Sequence, residues 1–332
     1  MTKANYVSYS YNTGISSTNA AKITDLIYDG EKVGIRTAEE LVELATLVNS
    51  GKDYSKFVNE SGAIVLLKDI DMSSVKNWTP IGYASLSAMT TGKALTVSAG
   101  YAFKGTFDGD AHVIKGLKMV APAGETAIRP YGLFGVVAEG SVIQNFQFDE
   151  DCSLTINSTK GCAVGMAAGM VIASQVRDIS VFGPTIFQAQ TTETVVAAPL
   201  VGAIWSSQTG GCVMDSCHNY GKITALNKNN VTEVYSPLPP NPSLVKGYMV
   251  GGLVGLMDGY FGSSTDYKTN MLSDSSNKGD IESAIFRTGG IIGTICRQST
   301  ASNCINDGNI RVTATSGAHV GGISSLKCKD VK

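Results

Sequence analysis

Val250-Gly251-Gly252-Leu253-Val254-Gly255 is the stretch on which the reading of this chain turns, because recognisable copies of it occur at five other places. Upstream stand Pro-Tyr-Gly-Leu-Phe-Gly (130–135), Val-Gly-Met-Ala-Ala-Gly (164–169) and Ala-Ala-Pro-Leu-Val-Gly (197–202). Downstream stand Thr-Gly-Gly-Ile-Ile-Gly (288–293) and Val-Gly-Gly-Ile-Ser-Ser (320–325). The last positions of these hexads, 135, 169, 202, 255, 293 and 325, lie 34, 33, 53, 38 and 32 residues apart. Self-similarity at such a period marks a solenoid, in which each unit buries its apolar face against the next. The paired glycines suit places where a strand packs so closely on a neighbouring backbone that a side chain does not fit.

A second element keeps the same register. Each of three units carries Asn-X-Gly-X-Ile after its hexad: Asn219 to Ile223, Asn277 to Ile281 and Asn306 to Ile310. Ser180-Val181-Phe182-Gly183 is an earlier, degenerate copy. Asn and Gly tolerate positive φ, and the flanking Ile, Val and Thr favour strands, so each copy reads as strand, tight turn, strand. Three short strands per turn of coil is the simplest expectation.

Composition agrees with many short strands and turns. Of 332 residues 43% are hydrophobic and only 16% charged, with 37 glycines. The formal charge of −2 offers no basic surface for nucleic acid or an anionic membrane. No apolar run approaches the ~18–20 residues of a membrane span. Met1 to Asn5 begin without the apolar core of a signal peptide, which suits either a processed chain or one that stays in the cell. The last hexad lacks an Asn-X-Gly partner, so the sheet edge there needs a cap from the final residues or further chain.

Seven cysteines stand at 152, 162, 212, 217, 296, 304 and 328. An odd number argues against a complete intrachain disulfide framework, and no CxxC zinc pair is present. Aligning the Asn-X-Gly turns puts Cys217, Ser275 and Cys304 at one repeat position, which reads as small residues stacked inside the coil.

Residues 1–34 form a polar N-terminal segment in which Tyr6, Tyr9 and Tyr11 are spaced like one face of a strand; 35–332 read as the β-helix domain. Within it Thr37-Ala38-Glu39-Glu40 is a capping box, ahead of Leu41, Leu44, Ala45, Leu47 and Val48 on one helical face. That helix, within 35–51, is suited to plug the open end of a solenoid. First coils follow over 60–120: Ile64 to Leu67, Asp69-Ile70-Asp71-Met72 and Trp78-Thr79-Pro80-Ile81-Gly82. Tyr83 to Tyr101 reads as a flexible insertion without period, and Phe103 to Leu117 as strand, Asp-Gly turn, strand. The hexad repeats occupy 130–326.

This succession resembles the GLUG-motif family of bacterial cell-surface proteins, from about Ile35 to Ile323. The resemblance implies an all-β, right-handed parallel β-helix, exported and common in gut bacteria as adhesin-like proteins. The same repeat occurs as a noncatalytic region of bacterial IgA1-cleaving metalloproteases. Val-Gly-Met-Ala-Ala-Gly and the copy bearing Pro199 depart from the pattern.

Catalytic motifs are missing from the sequence. There is no His-Glu-X-X-His, no Gly-X-Ser-X-Gly elbow and no phosphate-binding loop, and His112, His218 and His319 are far apart. No metal site or cofactor is expected. Asp69 with Asp71, at i and i+2 on one strand face, is the carboxylate pair to weigh for acid–base chemistry or a cation; Asp108-Gly109-Asp110 reads as a turn. Asp149-Glu150-Asp151 reads as a solvated loop.

Binding surfaces are expected instead on two insertions where the repeat lengthens. Asn227 to Lys246 carries Tyr235 before a proline-rich run, and Asp258 to Asn270 carries Tyr260, Phe261 and Tyr267. Insertions in solenoids tend to share one face, and aromatics there stack on sugar rings or anchor a peptide. The expectation is a noncatalytic, monomeric adhesin-like protein, secreted or on the bacterial surface, whose partner is a glycan or a host or microbial surface protein. A polysaccharide-degrading β-helix enzyme and a rigid stalk are the competing classes.

Overall fold

The computed structural model describes residues 32–327, apart from 88, 90–93, 122–127, 139, 158–161, 190–194, 228–247, 260–267, 286, 297 and 314–317. The described residues form a parallel β-helix with one α-helix, α1 (Ala38–Asn49), at its N-terminal end. Four ladders of stacked strands run along it, one more than three strands per unit predicts. In one coil, Cys162–Val164 lies in a short ladder, Ala168–Ile172 in the hexad ladder, Gln175–Val181 in a long ladder and Thr185–Ala189 in a turn ladder. All pairings between coils in these ladders are parallel.

The register is the one the hexads predict. Phe134, Ala168, Val201, Val254, Ile292 and Ser324 are stacked partners, so the steps of 34, 33, 53, 38 and 32 residues are those of the coil itself. The copies that depart from the pattern keep this pairing. Ile81 bridges Phe134, which makes Trp78-Thr79-Pro80-Ile81-Gly82 the first copy of the hexad, uncounted in the sequence. Each hexad forms the corner between the short and hexad ladders. A Cβ on Gly252 lies 1.9 Å from the carbonyl oxygen of Gly290, and one on Gly290 lies 2.0 Å from that of Gly322. The glycines answer to backbone packing of one coil on the next.

The Asn-X-Gly turns owe their glycines to the same cause, which corrects the expectation of positive φ. None of their residues is among those with positive φ. A Cβ on Gly221, Gly279 or Gly308 instead meets the carbonyl oxygen of the preceding coil at 1.9–2.1 Å. The asparagines form a ladder. Asn219 Nδ2 donates to Asn277 Oδ1 (2.7 Å) and Asn277 Nδ2 to Asn306 Oδ1 (2.7 Å), while each amide also donates to the carbonyl of its own glycine. Left-handed backbone sits earlier in the coil, at the stacked Asn145, Asp178, Ser216, Asp274 and Asn303, with φ between 47° and 63°. Asn and Asp tolerate that conformation best among residues with a Cβ.

Inside the coil the apolar columns are continuous. Phe107 is fully buried, its ring 5.2 Å from that of Phe134 and 5.7 Å from that of Phe146, and Phe146 meets Phe148 at 5.5 Å. Cys217, Ser275 and Cys304 stack as the turns predict. Burial pushes the Cys152 and Cys217 thiols up to about 12 and that of Cys212 to about 11, so these are inert core residues. Cys328 and the tyrosines 6, 9 and 11 lie outside the described residues.

Helix α1 closes the N-terminal end. Thr37 Oγ1 accepts from Glu40 N (3.2 Å), and the Glu40 carboxylate accepts from Arg36 N, one residue before the position a capping box specifies. Ala38, Leu41, Leu44, Ala45 and Val48 are buried in the same core as Ile64, Ile81 and Phe103. The chain leaves the helix through Ser50 and Gly51, the latter at φ 63°.

Two expectations fail in the first coils. Thr106–Asp108 and Val113–Lys115 are not a hairpin: each pairs in parallel with a strand of a neighbouring coil, and Asp110 and Ala111, both at positive φ, turn the chain between them. Tyr83 to Tyr101 is not a structureless insertion, since Ser85–Leu86 pairs antiparallel with Val97–Ala99. Ala84, Leu86, Met89 and Leu95 from this excursion share an apolar cluster with the outward Val136, Met170, Ala203 and Leu256 of the hexad ladder. That ladder is therefore buried on both faces, whereas the strands of the long ladder alternate buried and open positions. The hydrophobic character of the hexads follows from this two-sided burial.

Candidate binding surface

Tyr235, Tyr260, Phe261 and Tyr267 lie outside the described residues. The strands that hold their loops show where each insertion leaves the coil. The first departs after Ile223–Asn227 of the turn ladder and returns at Tyr248–Gly251 of the short ladder. The second departs after Val254–Gly259 of the hexad ladder and returns at Asn270–Ser273 of the long ladder. They leave from different corners, so the expectation that they share one face is not met at their attachment points.

The weighed carboxylates are held by local partners. Asp69 accepts from Lys115 Nζ (2.7 Å) and Val113 N (3.0 Å) and faces His112 Nδ1 (3.3 Å). The Lys115 hydrogen bond, with that of Val113, holds its carboxyl down at about 2. Asp71 accepts from Ser73 N, and hydrogen bonds to Ser73 lower it too. Neither is a general acid at neutral pH. Asp108 accepts from Asp110 N, Gln144 Nε2 and Asn145 Nδ2, and Asp149 from Gly116 N and Cys152 N. Both brace corners between coils. Among the described residues, no three His, Cys, Asp or Glu side chains converge to hold a metal ion.

A depressed carboxyl stabilises the fold above its unfolded value near 3.8 and ceases to do so as pH falls through about 2. The melting temperature should therefore fall as pH drops from 4 toward 2, and Asp69→Asn should flatten part of that slope. The effect is small because Asp69 is well exposed. Parallel slopes for parent and variant in a pH series of thermal melts would rule it out.

The described surface does bring together one cluster that sequence reasoning passed over. Val181 pairs with Asn219 and Asn219 with Asn277, so the X positions of the turns, Phe182, Tyr220, Lys278 and Asp307, form one outward column. The Phe182 and Tyr220 rings are stacked at 4.6 Å and 3°, and they are 40% and 38% exposed. Lys278 Nζ lies 5.2 Å from the centroid of Tyr220. Beside them the His218 ring is 6.5 Å from that of Tyr220, with Nδ1 2.9 Å from Ser276 Oγ. Burial first, then Lys278, lowers the His218 pKa, so the imidazole is neutral at pH 7. The signal was present in the alignment of Ser-Val-Phe-Gly with His-Asn-Tyr-Gly, which puts two aromatics in the same slot.

The exposed Phe182–Tyr220 pair, with the Lys278 ammonium and the half-buried His218 imidazole beside it, offers apolar surface and hydrogen-bonding groups together, while the buried Ser276 holds His218 in place. That combination suits the CH face and hydroxyls of a sugar ring, or an anchoring side chain of a protein. The stack itself is worth about 0.5–1.5 kcal/mol to the coil.

No protein-family model and no curated protein matches this chain. Among solved structures it is similar to a crystal structure described as a "putative immunoglobulin A1 protease" from Bacteroides ovatus. The TM-score is 0.54 at 14% identity, over 91% of this chain and 85% of the other. At that identity the likeness speaks for the fold, a parallel β-helix, and for nothing of the chemistry.

Proposed function

We propose that this chain is a noncatalytic, adhesin-like β-helix of the GLUG-motif kind, carried on or released from a bacterial cell, that binds a glycan. The observation behind the reading is the exposed Phe182–Tyr220 stack with Lys278, His218 and Ser276 around it. The surface or secreted setting rests on the resemblance of the repeated hexads to the GLUG-motif family. The depressed pKa values of Asp69 and Asp71 count against the carboxylate pair that a polysaccharide-degrading enzyme on this coil would use.

A glycan array with the purified chain and with the Phe182→Ser/Tyr220→Ser variant tests it. The parent is expected to retain at least one glycan, and the variant to lose at least about tenfold in affinity, or 1.4 kcal/mol. Equal binding by both moves the site elsewhere, with Tyr235, Tyr260, Phe261 and Tyr267 the next substitutions. Silence from the parent across the array defeats the lectin reading, and turnover of a glycan defeats the noncatalytic one.

A further inference from the structure

Solvent does not meet the faces of the Tyr220 ring. Phe182 covers one at 4.6 Å and 3°, and Lys278, next in the same column, sets its Nζ over the other, 5.2 Å from the centroid. The ring's edge stays exposed, which is the positive pole of its quadrupole, and apolar contact falls to Phe182. The Tyr220 hydroxyl makes no hydrogen bond among the described residues. Beside it, the Ser276 hydroxyl has no partner among the described residues other than His218 Nδ1, at 2.9 Å. It therefore donates to Nδ1, and the imidazole keeps its N–H on Nε2, where no described residue accepts it.

The charges divide in the same sense. Lys222, on this face, is held by Glu282 at 2.9 Å, whereas no carboxylate among the described residues lies within ion-pair distance of Lys278. Most carboxylates nearby are engaged: Asp215 by Ser216 and Ser273, Asp274 by Asn303, Asp280 by Asn309. Asp178, on the strand that leads to Phe182, and Asp307, next after Lys278 in the column, are not. An ammonium without a counter-charge, an imidazole N–H, a phenolic hydroxyl and an aromatic edge thus converge on one spot, and all four favour an electron-rich group.

We propose that the glycan bound here is acidic, with a single carboxylate or sulfate group seated between Lys278, His218 and Tyr220; this rests on the glycan-binding reading above. Lys278 supplies the charge, and His218 and Tyr220 donate hydrogen bonds, which are strongest toward an ionised acceptor. Asp178 and Asp307 restrict the site to sparsely charged sugars, because a densely sulfated chain meets them as like charges.

Titration with matched glycans that are neutral, carboxylated or singly sulfated tests the inference, with the two acidic arms telling which group is preferred. The parent is expected to bind an acidic form about tenfold more tightly than its neutral counterpart. Lys278→Met should abolish that margin and Lys278→Arg should retain it. Lys222→Met, whose ammonium Glu282 already holds, should leave it within about twofold. Acidic binding should also weaken as salt rises from about 0.05 M to about 0.5 M. Lys278 is exposed, so its variants should melt with the parent. Equal affinity for neutral and acidic forms, a margin that survives Lys278→Met, or a preference for densely sulfated chains would each overturn the inference and leave glycan binding in place. Silence of the parent toward every glycan defeats both.

Discussion

Replacing Asn277 with leucine is expected to destabilise the coil by about 4 kcal/mol, seen as a fall in melting temperature of roughly 6 °C. Asn277 is fully buried and occupies the middle of the amide ladder. Its loss strips a donor from Asn306 Oδ1 and from the Gly279 carbonyl, and an acceptor from Asn219 Nδ2. Leucine fills the volume but satisfies none of the three, and an unpaired buried polar group costs about 1–3 kcal/mol. The same substitution at Asn306 should cost about 1 kcal/mol, because that residue is half-buried and water reaches it. Equal losses at the two positions in denaturant titrations would mean that the ladder is not a cooperative element.

Opening the capped end should have the other large effect. Leu41→Asp with Leu44→Asp removes two fully buried side chains of α1. Lost packing alone costs about 2–5 kcal/mol at each, before the desolvation of two carboxylates. The helix is expected to detach and bare the apolar core of the first coils, including Ile64, Ile81 and Phe103. With that apolar surface exposed, concentration-dependent association should appear in sedimentation and light scattering. A variant that melts like the parent and does not associate would show that α1 is not what seals the N-terminal end of the coil.

Much of the candidate surface was beyond reading in one dimension. The chosen aromatics were those of the insertions, because loops that lengthen a repeat are where binding residues usually gather. Phe182 and Tyr220 are 38 residues apart and sit in turns that look structural; only the pairing of Val181 with Asn219 stacks them. Likewise Asp69 and Asp71 share a strand face in the sequence, yet Lys115 and Val113, from the next coil, are the partners of Asp69.

The fold class was legible because a solenoid repeats its packing problem, so the same residues return wherever the same corner does. Spacing of the hexads alone determined the register of six coils, and the alternation of Leu41, Leu44 and Val48 with polar residues determined α1. Position-specific backbone geometry was legible less well: glycine in Asn-X-Gly is needed for the carbonyl of the coil before, and a propensity for positive φ does not distinguish that cause. What no local pattern carries is contact between segments that do not repeat. The strap of Ala84, Leu86, Met89 and Leu95 has no period of its own, and its role appears only with the outward Val136 and Met170 beneath it. The burial of Val250 and Leu253 against the exposure of Val320 and Ile323 in the same columns was likewise decided by tertiary structure, because exposure depends on which neighbours a column has and not on the residues in it.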